Sequence, residues 1–347
     1  MTIDPVRLAR ELVDIPSVTG EEHHIAIAIE KILVGMGFEV IRQVVELDRV
    51  NLLAHASPSP RVILSSHLDT VPPYIGASED DDYLYGRGAC DTKGIIAAMV
   101  AAASELIATG RKDFGLLFVV GEETDSIGAK KANDELSRFA SQFLIDGEPT
   151  ESRFVSATKG ALTALVQFEG VAGHSAYPDR GVSAIHRMAE AIVAIHSRDW
   201  GESPGLGRTT VNVGVVRGGE KPNVIAPFAE CELIFRTAGD PESVRGALAS
   251  LVAEFHGHLV SSHGNSPVLM AVPEGADASP AAFNSDVAHL SRFGTPILFG
   301  PGSILDAHRP DENILKREII SAVETYRDLV SGLLDGTIRL NRLDVAG

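Results

Sequence analysis

Cysteine is scarce in this chain of 347 residues, which contains only Cys90 and Cys231. Two thiols so far apart in the sequence provide no disulfide framework of the kind that staples small secreted proteins. A chain of this size with so few thiols is typical of a reducing compartment. We therefore expect a cytoplasmic protein.

Long hydrophobic runs are also missing. The longest apolar stretch covers residues 95–103, whereas a membrane-spanning helix needs about 20 apolar residues. Asp4, Glu11 and Asp14 lie near the start of the sequence, where a secretory signal would have an unbroken apolar core. We expect neither a membrane span nor a secretory leader, and the apolar spacing there predicts an amphipathic helix instead.

Basic residues are in deficit, since 30 Lys and Arg face 47 Asp and Glu, a formal net charge of −17. Proteins that bind nucleic acid need clustered Lys and Arg to neutralise phosphates, and proteins that bind anionic membrane surfaces need polybasic segments. We therefore expect neither nucleic acid nor a membrane as a partner. A net charge alone indicates no more than solubility, so the placement of the carboxylates decides what they do.

Short, apolar, β-branched runs alternate with helical patterns along the chain, which is typical of an α/β protein with parallel strands. We expect a mixed, mainly parallel central sheet flanked by helices. The all-apolar segment at residues 92–103 predicts a helix buried under that sheet. The predicted sheet strands are residues 61–66, 115–120, 142–145 and 296–299.

The pattern changes from about Lys159. Residues 162–169 alternate between apolar and polar side chains, as in a half-solvated antiparallel strand. The elements predicted after it are a helix at 183–197, strands at 209–216 and 229–236, and a helix at 241–256. This β-α-β-β-α order predicts a small two-layer α+β domain inserted into the first.

Two Gly-, Pro- and Ser-rich stretches, residues 262–267 and 273–280, predict where the chain returns to the main sheet. We place the inserted domain at residues 161–268 and the discontinuous main domain at residues 1–160 and 269–347. Domains of about 150 residues are common, so the chain length also favours two domains.

Acidic or imidazole side chains follow each of the four predicted sheet strands. They are His67 and Asp69 after the first strand, Glu122 and Glu123 after the second, Asp146 and Glu148 after the third, and His308 after the fourth. Asp91 adds a further carboxylate at the start of the apolar helix. Ligands bind beyond the carboxyl ends of the strands in open α/β sheets, so we expect these side chains to meet at one sheet edge.

Histidine and carboxylate side chains without cysteine form a ligand set that suits zinc, manganese or cobalt. One ligand from each of the four strand ends together with Asp91 makes five, which exceeds the needs of one catalytic ion but suits two ions that share a bridging carboxylate. Taken one at a time, the residues have ordinary alternatives: a structural histidine, a solvated Glu-Glu pair, or the N-cap of a helix. The agreement between four strand ends favours the metal site.

Six motifs follow one another along the chain. They are residues 66–72 (SHLDTVP), 86–94 (GRGACDTKG), 121–123 (GEE), 147–149 (GEP), 173–178 (GHSAYP) and 307–308 (AH). Through these motifs the chain resembles, from about residue 5 to 330, the di-zinc amidohydrolase and exopeptidase family. That family includes acetylornithine deacetylase, succinyl-diaminopimelate desuccinylase, aminoacylase and carboxypeptidase G. Residues 299–312 resemble the acetylornithine deacetylase version most closely, whereas Gly121 departs from the family's usual Asp.

The resemblance implies a ligand for each position of a two-metal centre. The implied ligands are His67 and Glu148 for one ion, Glu123 and His308 for the other, and Asp91 as the bridge. At the third strand end, the family's Gly-Glu-Pro pattern favours Glu148 over Asp146. The two ions are expected to be zinc, with cobalt or manganese as alternatives.

The resemblance also implies catalytic roles. Glu122 is expected to be the general base, which takes a proton from water between the two zinc ions as the resulting hydroxide attacks an amide carbonyl. Asp69 is suited to accept the other ring N–H of His67. His174 is expected to reach across a dimer and help bind the oxyanion.

The inserted domain corresponds to the family's lid, which often forms the dimer interface, so a homodimer is expected. Asn223 and Arg236 match lid positions that hold substrate, and a planar guanidinium can bind a carboxylate bidentately. On the residues alone, His174 and Arg236 would be ordinary surface residues.

The main functional hypothesis is metal-dependent hydrolysis of the amide bond of an N-acyl amino acid by an acetylornithine deacetylase-like deacylase. The first alternative is a dipeptidase or carboxypeptidase of the same fold, because both cleave an amide beside a carboxylate-bearing residue. The expected substrate is thus a small N-acyl amino acid or a dipeptide. The second alternative, a catalytically silent metal-binding member, is disfavoured by the complete ligand set together with Glu122 and His174.

A serine hydrolase is the mechanistic alternative. Residues 201–205 (GESPG) match the G-x-S-x-G string. However, they follow a helical segment and include Pro204, so the strand-to-helix turn that this motif requires is not predicted. We expect no nucleophilic serine there.

Overall fold

The computed structural model describes residues 3–139 and 141–342. The chain divides into two compact units. Among the described residues, unit 1 comprises residues 3–156, Leu269–Ser279 and residues 285–342, and unit 2 comprises Ala157–Val268 and Pro280–Asn284. The main domain predicted from the sequence also contains residues 1–2, 140 and 343–347, which lie outside the described residues.

Helices occur in both units. The first begins at Pro5, where the Asp4 side chain accepts the backbone N–H groups of Val6 and Arg7 and caps the helix. No helix within residues 3–139 and 141–342 is both long enough and apolar enough to cross a membrane. The α-helices are α1 (Pro5–Val13), α2 (His23–Gly35), α3 (Gly94–Ala108), α4 (Ile127–Glu135), α5 (Ala184–Ser197), α6 (Pro241–Glu254) and α7 (Lys316–Asp335).

Strands also occur in both units, and several of them are very short. They are β1 (Glu39–Glu46), β2 (Arg49–His55), β3 (Val62–His67), β4 (Ser78–Glu79), β5 (Tyr83–Tyr85), β6 (Phe114–Val119), β7 (Phe143–Asp146), β8 (Phe154–Thr158), β9 (Gly160–Glu169), β10 (Glu202–Ser203), β11 (Gly207–Arg208), β12 (Thr210–Gly218), β13 (Phe228–Thr237), β14 (Gly257–Asn265), β15 (Val268–Leu269), β16 (Ala271–Pro273), β17 (Ala278–Ala281), β18 (Thr295–Leu298), β19 (Asn313–Leu315) and β20 (Leu340–Arg342).

The main sheet is mixed, with a parallel centre. Its strand order is β1-β2-β6-β3-β7-β18-β8-β15, and β17 pairs with β8. The four strands predicted from the sequence are neighbours in the order β6-β3-β7-β18, and each adjacent pair of them is parallel. The predicted fold class, a mainly parallel sheet flanked by helices, is therefore confirmed. It follows that the carboxyl ends of these four strands lie along one edge of the sheet.

Helix α3 is buried on nearly every side, as its all-apolar sequence predicts. Almost all of its residues from Gly94 to Leu106 are buried, and it packs against α1 and α7. Its many alanines present little side-chain volume, so neighbouring helices approach closely. The loop that precedes α3, and with it Asp91, is thereby fixed to the core of unit 1.

Unit 2 has an antiparallel sheet with strand order β12-β13-β9-β14, and its core contains residues of α5 and α6. Alternate residues of β9, namely Leu162, Ala164, Val166 and Phe168, are buried, which confirms the period-two pattern. Strand β14 was not predicted, because residues 262–267 were interpreted as part of a connection. Its only aliphatic side chains are Leu259 and Val260, so no alternation marks it, although it pairs with β9 along most of its length.

Candidate metal centre

The strand ends of unit 1 bring the predicted ligands together in two groups. Ligand atoms of His67, Asp91 and Glu148 lie within 4.8 Å of one another, and the same limit holds for Asp91, Glu123 and His308. His67 is the last residue of β3, and Glu148 follows β7 by two residues. Asp91 belongs to both groups, which is the arrangement expected of a carboxylate that bridges two ions.

Asp91 offers a different oxygen to each histidine. Its Oδ1 lies 3.1 Å from His67 Nε2, and its Oδ2 lies 3.3 Å from His308 Nε2. His308 Nε2 is also 3.0 Å from Glu123 Oε2. The two imidazoles therefore approach opposite oxygens of one carboxylate.

The ring of His67 is oriented by the backbone of Asp69 rather than by its carboxylate, which corrects the sequence-based expectation. His67 Nδ1 lies 2.9 Å from the Asp69 carbonyl oxygen, whereas the nearest Asp69 carboxylate oxygen is 3.7 Å away. A carbonyl can only accept, so Nδ1 carries the proton of the neutral ring, which leaves the lone pair of Nε2 for a cation bound beside Asp91. This tautomer is the one that a metal ligand requires.

The Asp69 carboxylate instead holds the turn that carries the Glu-Glu pair. It accepts the backbone N–H groups of Gly121 at 2.9 Å, Glu122 at 3.1 Å and Glu123 at 3.2 Å. The Thr19 hydroxyl also donates to it at 2.8 Å. Four donors occupy this buried carboxylate, which explains why it does not turn towards the ring of His67.

Burial and mutual repulsion raise the pKa values of the carboxylates around Asp91. Burial raises the pKa of Glu122 well above its usual value, and the negative charges of Asp286 and Glu123 raise it further, against the attraction of His67. Burial, followed by the charge of Glu122, likewise raises the pKa of Glu148. These groups are costly to ionise together unless positive charge lies among them.

The excess of negative charge also raises the pKa values of the two histidines. Hydrogen bonds to Asp91 and Glu123 raise the pKa of His308 to about 10. In His67, burial lowers the pKa, but a hydrogen bond to Asp91 and the charges of Glu148 and Glu122 raise it well above its usual value overall. Two divalent cations would supply the missing charge, and His and carboxylate donors suit them. The residues present therefore fit a two-metal centre.

Asp146, the competing candidate at the third strand end, belongs to neither ligand group among the described residues. It is buried, and its Oδ2 has no hydrogen-bond partner within the described part of the chain. Burial and the charge of Asp286 raise its pKa to about 7. Asp146 thus adds to the negative field of the site, whereas Glu148 lies close enough to His67 to share a ligand group.

Two buried acids of this region, Asp286 and Glu312, were not predicted. Asp286 lies in a short helical turn and raises the pKa of Glu122, but it follows a stretch interpreted as a connection. Glu312 accepts backbone N–H groups of the loop before α3. The sequence did contain an indication of Glu312, because this residue ends the 299–312 segment on which the family resemblance partly rests.

The remaining predicted residues lie in unit 2. His174 and Asn223 are exposed and come from adjoining segments, since the Ser175 N–H donates to the Asn223 carbonyl at 3.1 Å. His174 Nδ1 accepts the Ala176 N–H at 3.1 Å, so Nε2 carries the proton and can donate it. Arg236 lies on β13 between buried neighbours, on the opposite face of the sheet from Phe235.

The serine hydrolase alternative does not fit the geometry. Ser203 lies in β10, where it pairs with Gly207 of β11 in a short antiparallel hairpin. A nucleophile elbow needs a sharp turn from a strand into a helix. The G-x-S-x-G match therefore has no catalytic context.

Comparisons with known proteins give matches that cover most of the chain. The profile of peptidase family M20/M25/M40 matches residues 63–332. A peptidase M20 domain-containing protein of Schizosaccharomyces pombe is 33% identical over 94% of this chain and 84% of its own length. A probable carboxypeptidase of Aspergillus clavatus is 33% identical over 94% of this chain and 82% of its own length.

A solved structure shares the fold. The structure of a tripeptidase from Staphylococcus aureus superposes with a TM-score of 0.78 at 22% identity, over 94% of this chain and 98% of that one. The specific closeness to acetylornithine deacetylase gains no support from these relatives. The peptidase alternative that the sequence left open is the better supported one.

Proposed function

The chain belongs to peptidase family M20/M25/M40, and we propose that it is a metallo-exopeptidase of the carboxypeptidase type, which removes the last residue of a short peptide. It is a metal-dependent hydrolase that acts on amide bonds. One observation carries the proposal: two groups of ligand atoms share Asp91, and Glu122 stands beside them with a raised pKa. The carboxypeptidase name of a relative with 33% identity supports the choice of substrate.

We assign each ligand group to one cation. His67, Asp91 and Glu148 would hold the first ion, and Asp91, Glu123 and His308 the second. Divalent ions held there would polarise an amide carbonyl and make water easier to deprotonate. Zinc is the proposed ion, because mixed His and carboxylate sites without cysteine suit it, and cobalt and manganese accept the same ligands.

Glu122 would move the proton. It belongs to neither ligand group among the described residues, and its backbone N–H is fixed by Asp69, so its carboxylate is placed without being used as a ligand. A raised pKa makes a carboxylate a stronger base towards water, and the protonated group can then act as the acid. Glu122 therefore takes a proton from the attacking water and delivers it to the leaving amine.

Unit 2 would recognise the substrate. The Nε2–H of His174 is a hydrogen-bond donor suited to a developing oxyanion, and Asn223 lies on the adjoining segment. The guanidinium of Arg236 suits the carboxylate of the substrate's last residue, which it could bind through two parallel hydrogen bonds. In a homodimer formed through unit 2, His174 would serve the partner's substrate.

A substrate panel tests the proposal. The metal-free protein is reconstituted with zinc, cobalt or manganese and incubated with dipeptides, tripeptides, their carboxyl-terminal amides, and N-acetyl and N-succinyl amino acids. Released amino acids are identified by mass spectrometry. We expect hydrolysis of the free peptides and little hydrolysis of their amides. Cleavage confined to N-acyl amino acids would establish the deacylase instead, and no turnover by metal-loaded protein would leave the catalytically silent alternative.

A further inference from the structure

A buried carboxylate outside both ligand groups holds the loop that carries Asp91. Glu312 is only 1% exposed. Its Oε1 accepts the backbone N–H of Gly88 at 2.9 Å and those of Cys90 and Asp91 at 3.3 Å each. The backbone of the bridging ligand is therefore fixed by a residue four positions after His308.

Arg87 neutralises this carboxylate and reaches the loop of His308. Arg87 is 2% exposed, and its guanidinium donates to Glu312 Oε2 at 2.5 Å. It also donates to the carbonyl oxygens of Arg309 at 3.2 Å and Pro73 at 3.3 Å. One ion pair thus connects the backbone next to His308 with the backbone of Asp91.

The two ligand groups differ in how strongly the fold fixes them. His67 ends a buried strand and is 2% exposed. The His308 side chain is 49% exposed, and its backbone has a φ of +64° on an irregular segment, a conformation that non-glycine residues seldom adopt. The position of His308 therefore depends on local contacts such as those of Arg87.

We propose that Arg87 and Glu312 are a positioning pair that presets Asp91 and His308 for the second cation. This inference rests on the proposed function, because it needs a second ion bound by Asp91, Glu123 and His308. A buried ion pair contributes little net stability, because desolvation offsets its attraction. Stabilisation of the fold therefore does not by itself account for the Arg87–Glu312 pair. Mutation of residues that hydrogen-bond to metal ligands and orient them typically lowers metal affinity by about 10- to 100-fold.

The test is a titration of the metal-free protein with cobalt. Calorimetry and the visible absorption of the bound ion measure how tightly each equivalent binds. We expect the wild type to bind two equivalents. In Glu312→Gln, the second equivalent should weaken by about tenfold or more and the first by clearly less, because buried His67 and Glu148 also hold the first ion. Wild-type affinity for both equivalents in Glu312→Gln, or an equal weakening of both, would overturn the positioning role.

Glu318→Gln is the matched control. Glu318 also accepts a backbone N–H, that of Gly302 at 3.0 Å, but this N–H does not belong to Asp91 or to its neighbours in the ligand loop. Glu318→Gln should leave the affinity for both cobalt equivalents unchanged. If Glu318→Gln weakened the second equivalent as strongly as Glu312→Gln, the effect would be a general consequence of losing an acid there, and the inference would fail.

Arg87→Lys keeps the charge but removes the planar fork that reaches three acceptors. It should weaken the second equivalent in the same direction as Glu312→Gln, and it provides the decisive result if Glu312→Gln does not fold. Circular dichroism melts of the metal-free variants separate the roles. A lower melting temperature with an unchanged difference between the two cobalt affinities would contradict positioning.

The outcomes for the wild type distinguish this inference from the proposed function. A wild type that binds two ions and hydrolyses peptides, beside a Glu312→Gln variant that binds both ions equally well, removes only the positioning role. A wild type that binds fewer than two ions removes the two-metal centre and the positioning role together.

Discussion

The Asp69 carboxylate accepts the backbone N–H of Glu122, with 3.1 Å between Oδ1 and nitrogen. The same carboxylate accepts the N–H groups of Gly121 and Glu123, while its own backbone carbonyl orients the ring of His67. One buried residue thus places the proposed base and a proposed ligand of each ion. Asp69 is in this sense the structural centre of the site.

Asp69→Asn should lower both stability and turnover. An amide keeps one acceptor oxygen but turns an NH₂ group towards backbone donors, so buried N–H groups lose their partner. A loss of about 1–3 kcal/mol in the free energy of unfolding is expected. We also expect kcat to fall by about tenfold or more, with a smaller change in KM, because the base and a ligand shift. Urea denaturation and steady-state kinetics measure both quantities.

Asp240→Asn is the control for that prediction. Asp240 caps α6 and also accepts two backbone N–H groups, those of Glu242 and Ser243, but it lies in unit 2 and is exposed. It should cost about 1 kcal/mol or less of stability and leave kcat unchanged. Equal kcat values for Asp69→Asn and wild type would show that the turn at residues 121–123 does not depend on Asp69.

Glu122→Gln should abolish most of the hydrolysis while both ions remain bound. General base catalysis contributes about 10²- to 10⁴-fold to rate, and the amide side chain cannot take a proton. Metal analysis and kinetics on the same preparation provide the measurement. Glu254→Gln, at the exposed end of α6, is the control. Near-normal turnover in Glu122→Gln would transfer the role of base to another group.

His289 should contribute a loss of stability to the metal-free protein in acid, opposite in sign to the contribution of the buried carboxylates whose pKa values are raised. Burial, reinforced by the charge of Lys130, lowers the pKa of His289 from 6.5 to about 4. Between these values the unfolded chain binds a proton at this residue that the folded chain does not, so the contribution of His289 to the free energy of unfolding decreases as pH falls from about 6.5 to 4. The contribution of this residue is at most about 3 kcal/mol.

Urea denaturation between pH 4.5 and 7 tests this dependence on wild type and His289→Gln. The variant has no group to titrate at this position, so the free energy of unfolding of wild type minus that of the variant should decrease as pH falls. Parallel curves for the two proteins would mean that His289 titrates alike in the folded and unfolded states.

Arg236→Lys should weaken binding of substrates with a free terminal carboxylate. The ammonium keeps the charge but lacks the planar fork, so we expect KM to rise by about tenfold with little change in kcat. Arg217→Lys is the control, because Arg217 lies on the adjacent strand β12 and pairs with Glu230 and Glu232. Unchanged KM in Arg236→Lys would leave recognition of the carboxylate to another residue.

The sequence predicted the ligands because of where they stand relative to strands. His67, Glu123 and Glu148 each follow an apolar run, and parallel strands bring their carboxyl ends to one edge. The spacing alone did not separate Asp146 from Glu148, because both follow the same strand. That choice depended on the family motif, and in the structure only Glu148 lies in a ligand group among the described residues.

The supporting contacts could not be predicted in the same way. The donors to the Asp69 carboxylate are obvious only when the turn at residues 121–123 is seen, since backbone N–H groups leave no mark in a sequence. The contact between Glu312 and Asp91 joins positions more than 200 residues apart. Strand β14 escaped detection because cross-strand pairing, rather than an alternating pattern, holds it at the sheet edge.

The most direct test is the metal content of the zinc-reconstituted, extensively dialysed protein, measured by mass spectrometry beside that of Asp91→Asn. Because Asp91 belongs to both ligand groups, we expect two zinc ions per chain in the wild type. The variant should hold fewer than one ion and show no peptide hydrolysis, and Asp240→Asn should retain both ions. One ion or none in the wild type, or two ions in Asp91→Asn, would contradict the two-metal centre.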